Sequence, residues 1–324
     1  MMKQTVILYI LFFFLAAGCS GGSSSSLPSS AHNGEFPMIS IPPSIQFEDE
    51  RAEYLTLHFW DSFLDTLFTG SNDSLTVKGV SKQKIEEKFA LWAWLLGEVS
   101  QETIDEAVET WLAGISLEQS RTPSSGIFGE MAALSSKYLN ENASPLKSEK
   151  AYGSIAAKLA QSPLSDPSLV ERYAFEAKIC ALNKEGTKAG DFSFTTSKGR
   201  QMRLYSVQAP LLLLVFSNPG CPQCEDIQKT ISEDRLLGGL QDGGKLKIVN
   251  IYPDEDISSW RKAVKDYPSQ WISGIDINQE IRNNLIYNIW AIPSLYLLDG
   301  DKTVILKDAP LEKVLEKIKK LSKI

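Results

Sequence analysis

A run of six apolar residues, Leu211–Phe216, restricts the fold of this chain more than any other segment. A strand with no polar residue on either of its faces belongs in the interior of a sheet that is covered on both sides. Strand-like and helix-like segments alternate before and after this run, from about residue 185 onward. This alternation predicts an α/β domain over residues 185–324, with a mixed sheet and helices on both of its faces.

The predicted elements of this C-terminal domain are short. The predicted strands cover residues 192–194, 202–205, 211–216, 246–251, 295–298 and 304–306. Helices are predicted from about residue 222, over residues 257–266 and 279–286, and over residues 310–321. The last of these helices is amphipathic and closes the domain.

Before residue 185 the apolar residues recur at the spacing of amphipathic helices. Ser81 and Ser100 occupy the N-cap positions of two such helices, and Gly97 and Gly114 stand near the predicted helix ends. Two further helices are predicted, around residues 128–139 and 169–182. The pattern predicts a separate all-α domain over residues 41–184 and identifies no chemistry in it.

The first 18 residues, 1–18, have the pattern of a signal peptide. Lys3 is followed by an apolar run of 12 residues, 6–17, which is too short to cross a bilayer core of ~30 Å. The small residues directly before Cys19 resemble the lipobox of bacterial lipoproteins, in which the cysteine becomes the lipid-modified N-terminus. Residues 19–40, rich in Ser and Gly, then form a flexible tether. An ordinary cleaved signal peptide or a membrane anchor is the alternative.

The resemblance to lipoproteins implies a location in the cell envelope of a Gram-negative bacterium, with the lipid holding the protein to a membrane. In some lipoproteins an acidic run after the cysteine marks export to the cell surface. The predicted tether has no such run, so we expect the protein to face the periplasm.

Charge and histidine content argue against several kinds of site. Lys and Arg number 33 against 40 Asp and Glu, and the net charge of −7 argues against a nucleic-acid partner. The two histidines, His32 and His58, lie far from the C-terminal domain, which therefore holds no Ser-His-Asp triad and no histidine-rich metal site. We expect His58 to be structural and His32 to lie in a solvated loop.

The sequence Cys221-Pro222-Gln223-Cys224 stands between the predicted buried strand and a predicted helix. A tetrahedral zinc site would need a second pair of cysteines or two histidines, and the C-terminal domain contains neither. At the start of a helix, Cys221 is close to free backbone N–H groups that favour thiolate over thiol. Cys224, one turn further on, can reach back to resolve a mixed disulfide. The position of the motif predicts a redox-active pair.

The C-terminal domain resembles thioredoxin-like thiol–disulfide oxidoreductases of the TlpA type. The segments that carry the resemblance are residues 188–192, the strand at 211–216, the cysteine pair and residues 291–295. The resemblance implies that Cys221 attacks, that Cys224 resolves, and that Pro293 follows a cis peptide bond and, with Ile292, seats a substrate strand. It also implies protein clients with thiols or disulfides and a separate redox partner protein. Neither a metal nor another cofactor is implied.

The sequence departs from the family pattern around the pair. Gly220 precedes the first cysteine, where thioredoxins usually have Trp, and Val215 stands where many members have a buried acid. Glu225 and Asp226 follow the pair and are expected in the exposed first turn of the helix. Proton transfer is therefore expected to use water or one of these two acids.

Other functions stay open at the level of sequence. A thioredoxin fold kept for binding clients, with little turnover, fits the same residues. Binding of copper is disfavoured, because residues 185–324 lack the distal histidine that copper chaperones of related fold generally have. In another alternative the helical domain is a scaffold whose assembly the redox domain regulates. The helical domain resembles the uncharacterised domain that precedes a thioredoxin-like domain in some bacterial lipoproteins. Cys180 is expected to be a small buried apolar residue, with electron relay as the alternative.

If Cys19 carries the lipid, Cys19→Ser removes the anchor. We expect this variant to move from the membrane pellet to the soluble fraction when lysed cells are centrifuged at high speed. Cys180→Ser, which leaves the signal sequence intact, is the control and should stay in the pellet. A Cys19→Ser protein that still pellets would contradict the lipid anchor.

Overall fold

The computed structural model describes residues 34–37, 39–66 and 75–322. The predicted signal peptide, Cys19, His32 and most of the predicted tether lie outside the described residues. The described chain forms a helical domain followed by an α/β domain with a mixed sheet, which confirms the predicted fold class. Within these ranges no helix is long and apolar enough to span a membrane.

The helical domain is built around two long helices that follow a short hairpin. Its helices and strands are, in chain order, α1 (Glu48–His58), α2 (Asp61–Asp65), β1 (Thr76–Val77), β2 (Val80–Ser81), α3 (Lys82–Glu98), α4 (Gln101–Arg121), α5 (Ile127–Ser135), α6 (Glu149–Leu159) and α7 (Val170–Cys180). A π-helical segment, Ser136–Asn140, continues α5 and accounts for the predicted helix around residues 128–139.

Serine side chains begin both long helices. The Oγ of Ser81 accepts a hydrogen bond from the backbone N–H of Lys84 at 3.3 Å, and the Oγ of Ser100 accepts one from Thr103 at 3.2 Å. Both predicted N-caps are therefore confirmed. The prediction for Gly114 is wrong, because this residue lies inside α4. A Cβ atom at Gly114 would come within 2.6 Å of the Leu64 side chain, so the glycine allows α2 to pack closely against α4.

Aromatic side chains fill the core of the helical domain. The rings of Trp92 and Trp111 lie 5.0 Å apart, and Phe89 is fully buried beside them. The apolar stripes of α3 and α4 thus face a common core, as expected for packing residues. His58 lies at the edge of this core, with Nδ1 2.7 Å from Asp61 Oδ2, which fits the structural role predicted for it.

An ion pair is buried in the same domain. Lys78 has no exposed surface, and its Nζ lies 3.1 Å from Glu118 Oε2 and donates a hydrogen bond to the Leu64 carbonyl at 2.9 Å. Burial lowers the pKa of Lys78, while the contact with Glu118 opposes that shift. The lysine therefore depends on the carboxylate to remain charged in a place with little water.

The α/β domain contains a seven-stranded sheet in the order β4-β3-β7-β6-β5-β8-β9. The strands are β3 (Ser193–Thr196), β4 (Gln201–Arg203), β5 (Leu211–Phe216), β6 (Leu246–Tyr252), β7 (Ile272–Ile275), β8 (Ser294–Asp299) and β9 (Val304–Leu306). The helices are α8 (Pro222–Glu233), α9 (Arg235–Asp242), α10 (Ile257–Ala263), α11 (Glu280–Asn283) and α12 (Leu311–Leu321).

Strand β5 lies inside the sheet, as its composition predicts. It pairs in parallel with β6 and antiparallel with β8 along its whole length. Leu212, Leu214 and Phe216 enter the apolar core on one face of the sheet, whereas Leu213 and Val215 enter the core on the other face. An uninterrupted apolar strand is needed here because both of its faces are covered.

Three elements of the α/β domain differ from the sequence expectation. Strand β7 and helix α9 are absent from the predicted set, and the helix predicted over residues 279–286 is reduced to the four residues of α11. The backbones of Gln279 and Leu285, with φ of 52° and 50°, take left-handed conformations at the two ends of this segment. A longer helix cannot form through residues with these conformations.

Breaking the buried ion pair is expected to destabilise the protein. Glu118→Gln leaves the Lys78 ammonium group buried without a counter-charge, and the free energy of unfolding should fall by about 3 kcal/mol. Urea denaturation followed by far-UV circular dichroism measures this change. Glu109→Gln, which breaks the more exposed pair with Lys158, is the control and should change it by less than about 0.5 kcal/mol. Equal effects of the two substitutions would contradict the role assigned to burial.

Candidate active site

Two segments that the sequence singles out meet at one edge of the sheet. Phe216, the last residue of β5, pairs with Ser294, the first residue of β8. The chain leaves β5 through residues 217–220 and reaches Cys221, while Pro293 immediately precedes β8. Because β5 and β8 are antiparallel neighbours, the cysteine pair and Pro293 lie at the same edge.

The two cysteines form a disulfide at the start of α8, with their Cα atoms 5.2 Å apart. Cys221 is the N-cap residue of α8, and its Sγ accepts a hydrogen bond from the backbone N–H of Cys224 at 3.2 Å. Cys221 is half-buried, whereas Cys224 is only 1% exposed. Cys221 is thus the more accessible of the two cysteines, and its sulfur lies where free N–H groups of a helix stabilise negative charge.

A tight turn presents Cys221 to the surface. Gly220 has a φ of 72°, a left-handed conformation that a residue with a Cβ atom adopts only with strain. The backbone N–H of Cys221 donates to the Asn218 carbonyl at 3.4 Å and closes the turn. Pro222 occupies the first position of α8, where its missing N–H has no intrahelical partner to lose.

The peptide bond between Ile292 and Pro293 is cis, as the family resemblance implies. Both residues are half-buried, and Ala291 before them is exposed. The segment is therefore open to solvent on one side at the edge of the sheet that also carries Cys221.

The position at which many thioredoxin-like proteins carry a buried acid is apolar in this structure. Val215 is buried in the apolar core, and Glu225 and Asp226 are exposed on the first turn of α8, as expected. The carboxylates of Glu225 and Asp226 are in contact with solvent. Water and exposed carboxylates are therefore the proton carriers that the described site offers near the first turn of α8.

A buried polar contact behind the turn is absent from the sequence prediction. The Ser217 hydroxyl donates to Asn250 Oδ1 at 2.7 Å, and both side chains are almost completely buried. Tyr267 lies next to Ser217 and Gln228, and burial raises the pKa of its phenol. The signal for this group is Asn250, an amide that interrupts the apolar sequence of β6 directly beside β5.

Cys180 occupies the end of α7 in the core of the helical domain. Burial raises the pKa of its thiol to about 11. The thiol is therefore protonated at neutral pH and is a poor nucleophile, which agrees with the packing role expected for it. A Cβ atom at Gly153 would come within 2.8 Å of the Cys180 Cβ, which shows how closely α6 and α7 approach at this point.

In the parts of the chain that the structure describes, no three His, Cys, Asp or Glu side chains are grouped so that they could hold a metal ion.

The chain is similar to several solved structures. A thioredoxin-like protein from Bacteroides caccae is 29% identical, over 88% of this chain and 98% of that chain, with a TM-score of 0.75. The C-terminal domain of an uncharacterized protein from Bacteroides fragilis is 39% identical over 42% of this chain and 98% of that chain, with a TM-score of 0.41. The thioredoxin domain of a thiol-disulfide oxidoreductase from Bacteroides vulgatus is 19% identical over 43% of this chain and 97% of that one, with a TM-score of 0.39. None of the curated proteins matches.

The fold, the cysteine pair and the similarity to the Bacteroides caccae protein thus define a thioredoxin-like domain preceded by a helical domain. Residues 19–183, just over half of the chain, match the family described as the domain of unknown function DUF5106. The chain belongs to this family. In this chain, the DUF5106 region comes before the thioredoxin-like domain.

The environments of the two sulfur atoms predict different reactivities after reduction. Cys221 should be alkylated by iodoacetamide at least about tenfold faster than Cys224, because it is accessible and helix N–H groups favour its thiolate. The measurement is mass spectrometry of peptides from protein quenched at successive times. The rate at Cys221 should also reach half its maximum at a lower pH than that of free cysteine. Faster modification of Cys224 would reverse the assignment of the two sulfurs.

Proposed function

We propose that this protein is a thiol–disulfide oxidoreductase that exchanges disulfides with client proteins through Cys221 and Cys224. The observation that supports this proposal best is the asymmetry of the pair: an accessible sulfur caps a helix and a buried sulfur lies one turn inside it. That arrangement separates attack on a bulky client from resolution within the protein. A pair kept only for stability would gain nothing from exposing one sulfur at the edge of the sheet.

The reductive reaction has two displacements. The Cys221 thiolate attacks one sulfur of a client disulfide, a bond forms between Cys221 and the client, and the other client sulfur leaves as a thiolate that takes a proton from water. The Cys224 thiolate then attacks the Cys221 sulfur, and the second client sulfur leaves. The client gains two electrons and the cysteine pair loses two. A dithiol redox partner restores the reduced pair.

The same steps in reverse transfer the disulfide from the oxidised pair to a client dithiol. The relative stability of the reduced and oxidised pair, measured against the client and the redox partner, sets the direction. The half-buried segment at Ile292 and Pro293 would hold the client strand in either direction, because it borders the same edge of the sheet as Cys221.

We further propose that the protein works in the bacterial envelope, held to a membrane through lipid on Cys19 and facing the periplasm. The support for this location is the sequence before Cys19 and the Ser- and Gly-rich segment after it. Client proteins with disulfides occur in such an oxidising compartment.

The two steps can be separated by substitution of each cysteine. Cys224→Ser removes resolution and keeps attack, so disulfide-linked adducts should accumulate through Cys221 when the reduced variant is mixed with insulin. Cys221→Ser should form no adducts and should reduce insulin, with dithiothreitol as the reductant, no faster than dithiothreitol alone. Non-reducing gel electrophoresis and insulin turbidity measure the two outcomes.

Cys180→Ser is the control for these variants, because this thiol is buried in the helical domain, and it should keep wild-type turnover. Full turnover by Cys224→Ser would contradict the resolving role. Adducts of Cys221→Ser through Cys224, or adducts of either variant through Cys180, would contradict attack by Cys221. Wild-type protein that neither reduces insulin nor forms adducts would favour a client-binding module instead.

A further inference from the structure

The two domains meet at a polar contact centred on Glu149, the first residue of α6. Its Oε2 lies 2.7 Å from Lys307 Nζ, and the two side chains are only 17% and 11% exposed. Lys307 follows β9 directly, so this ion pair joins the helical domain to the α/β domain. With little water around them, the two charges depend on each other.

The second carboxylate oxygen of Glu149 contacts the segment that leads to Pro293. Glu149 Oε1 accepts a hydrogen bond from the side-chain amide of Asn288. We call residues 288–293 the platform loop, because they run from this contact to the cis peptide bond before β8. One carboxylate of the helical domain therefore holds both Lys307 and the start of the platform loop.

A second side chain of the helical domain contacts the middle of the same loop. Lys147, two residues before Glu149, places its Nζ 3.8 Å from the ring centroid of Trp290. An ammonium group this close to an indole face is attracted by the ring electrons. Trp290 is still 41% exposed, so its remaining surface is open at the edge of the site.

Further hydrogen bonds fix Lys307 and the connection between the two domains. Lys307 Nζ also donates to the carbonyls of Cys180 and Leu182, at 3.2 and 2.5 Å, and so binds the end of α7. Asn183, in the connection between the domains, donates to the Ile286 carbonyl at 2.7 Å, just before the platform loop. The helical domain thus contacts the loop through Glu149 and Lys147, and these further hydrogen bonds fix the residues around the two contacts.

We propose that Lys147 and Glu149 are positioning residues that hold the platform loop in the conformation that binds the client. This inference rests on the proposed function and gives the DUF5106 domain a part in it: the helical domain acts on client binding through the loop, and the sulfur chemistry stays in the thioredoxin-like domain. The two roles are separable, since neither positioning residue lies on an element that carries a reactive cysteine.

The test compares client turnover with the reactivity of Cys221 toward a small reagent, in the full chain. Lys147→Met removes the charge over Trp290 and keeps most of the packing, and Glu149→Gln removes the charge that faces Lys307. In each variant kcat/KM for insulin reduction should fall by about three- to tenfold, mainly through a higher KM, because the loop that positions the client is no longer fixed. The rate of alkylation of Cys221 by iodoacetamide should stay within about twofold of wild type.

Lys150→Gln is the matched control. Lys150 lies next to Glu149 on α6 and pairs with Glu185 at 2.9 Å, outside the platform loop, with 53% of its side chain exposed. This variant should keep wild-type kcat/KM. Asn288→Ala approaches the same contact from the α/β domain and should reproduce the effect of Glu149→Gln, with little further loss when the two are combined.

The outcomes separate the inference from the function on which it rests. If the wild-type protein reduces insulin and Lys147→Met and Asn288→Ala reduce it equally well, the positioning role is overturned and the proposed function stays in place. Equal losses in Lys150→Gln, or a parallel loss of Cys221 alkylation, would overturn it in favour of a general effect of the interface on the fold. Wild-type protein without any insulin reduction would overturn both.

Discussion

The antiparallel pairing of β5 with β8 is the constraint on which the candidate site depends. It joins segments about 80 residues apart in sequence and puts the exit of one strand beside the entry of the other, from Phe216 to Ser294. The cysteine pair at the start of α8 therefore lies at the same edge of the sheet as the cis peptide bond before β8. This arrangement requires no direct contact between their side chains. A strand that slipped in register would lose this arrangement.

Much of the α/β domain could be predicted because its strongest elements are locally encoded. The apolar run of β5 and the proline at the first turn of α8 specify a buried strand and the start of a helix from neighbouring residues alone. Strand β7 could not be recognised in this way, since its sequence contains Ser273 and Gly274 and its pairing partners lie elsewhere in the chain. Gly114 shows the same limit in the helical domain: its place inside α4 follows from contact with Leu64, which the local sequence does not reveal.

The residues of the site also fall into those that the local sequence identifies and those that only the tertiary structure brings together. The C-x-x-C motif singles out the two cysteines, and the family resemblance singles out the proline. The hydrogen bond between Ser217 and Asn250 and the contacts of Glu149 with Lys307 and Asn288 depend on which elements become neighbours, so a single sequence does not reveal them. A polar residue within an apolar strand is nevertheless a usable sign, because a buried amide must find a partner.

The state of Cys180 has a consequence for the integrity of the chain itself. A protein that exchanges disulfides with other proteins can also form non-native disulfides within its own chain. Each additional reactive thiol increases the number of such pairs that can form. Burial keeps this third sulfur protonated and out of reach, with a pKa of about 11. In the described part of the chain, the exchange chemistry that we propose would thereby be confined to two atoms, and the helical domain could contact the α/β domain closely without taking part in that reaction.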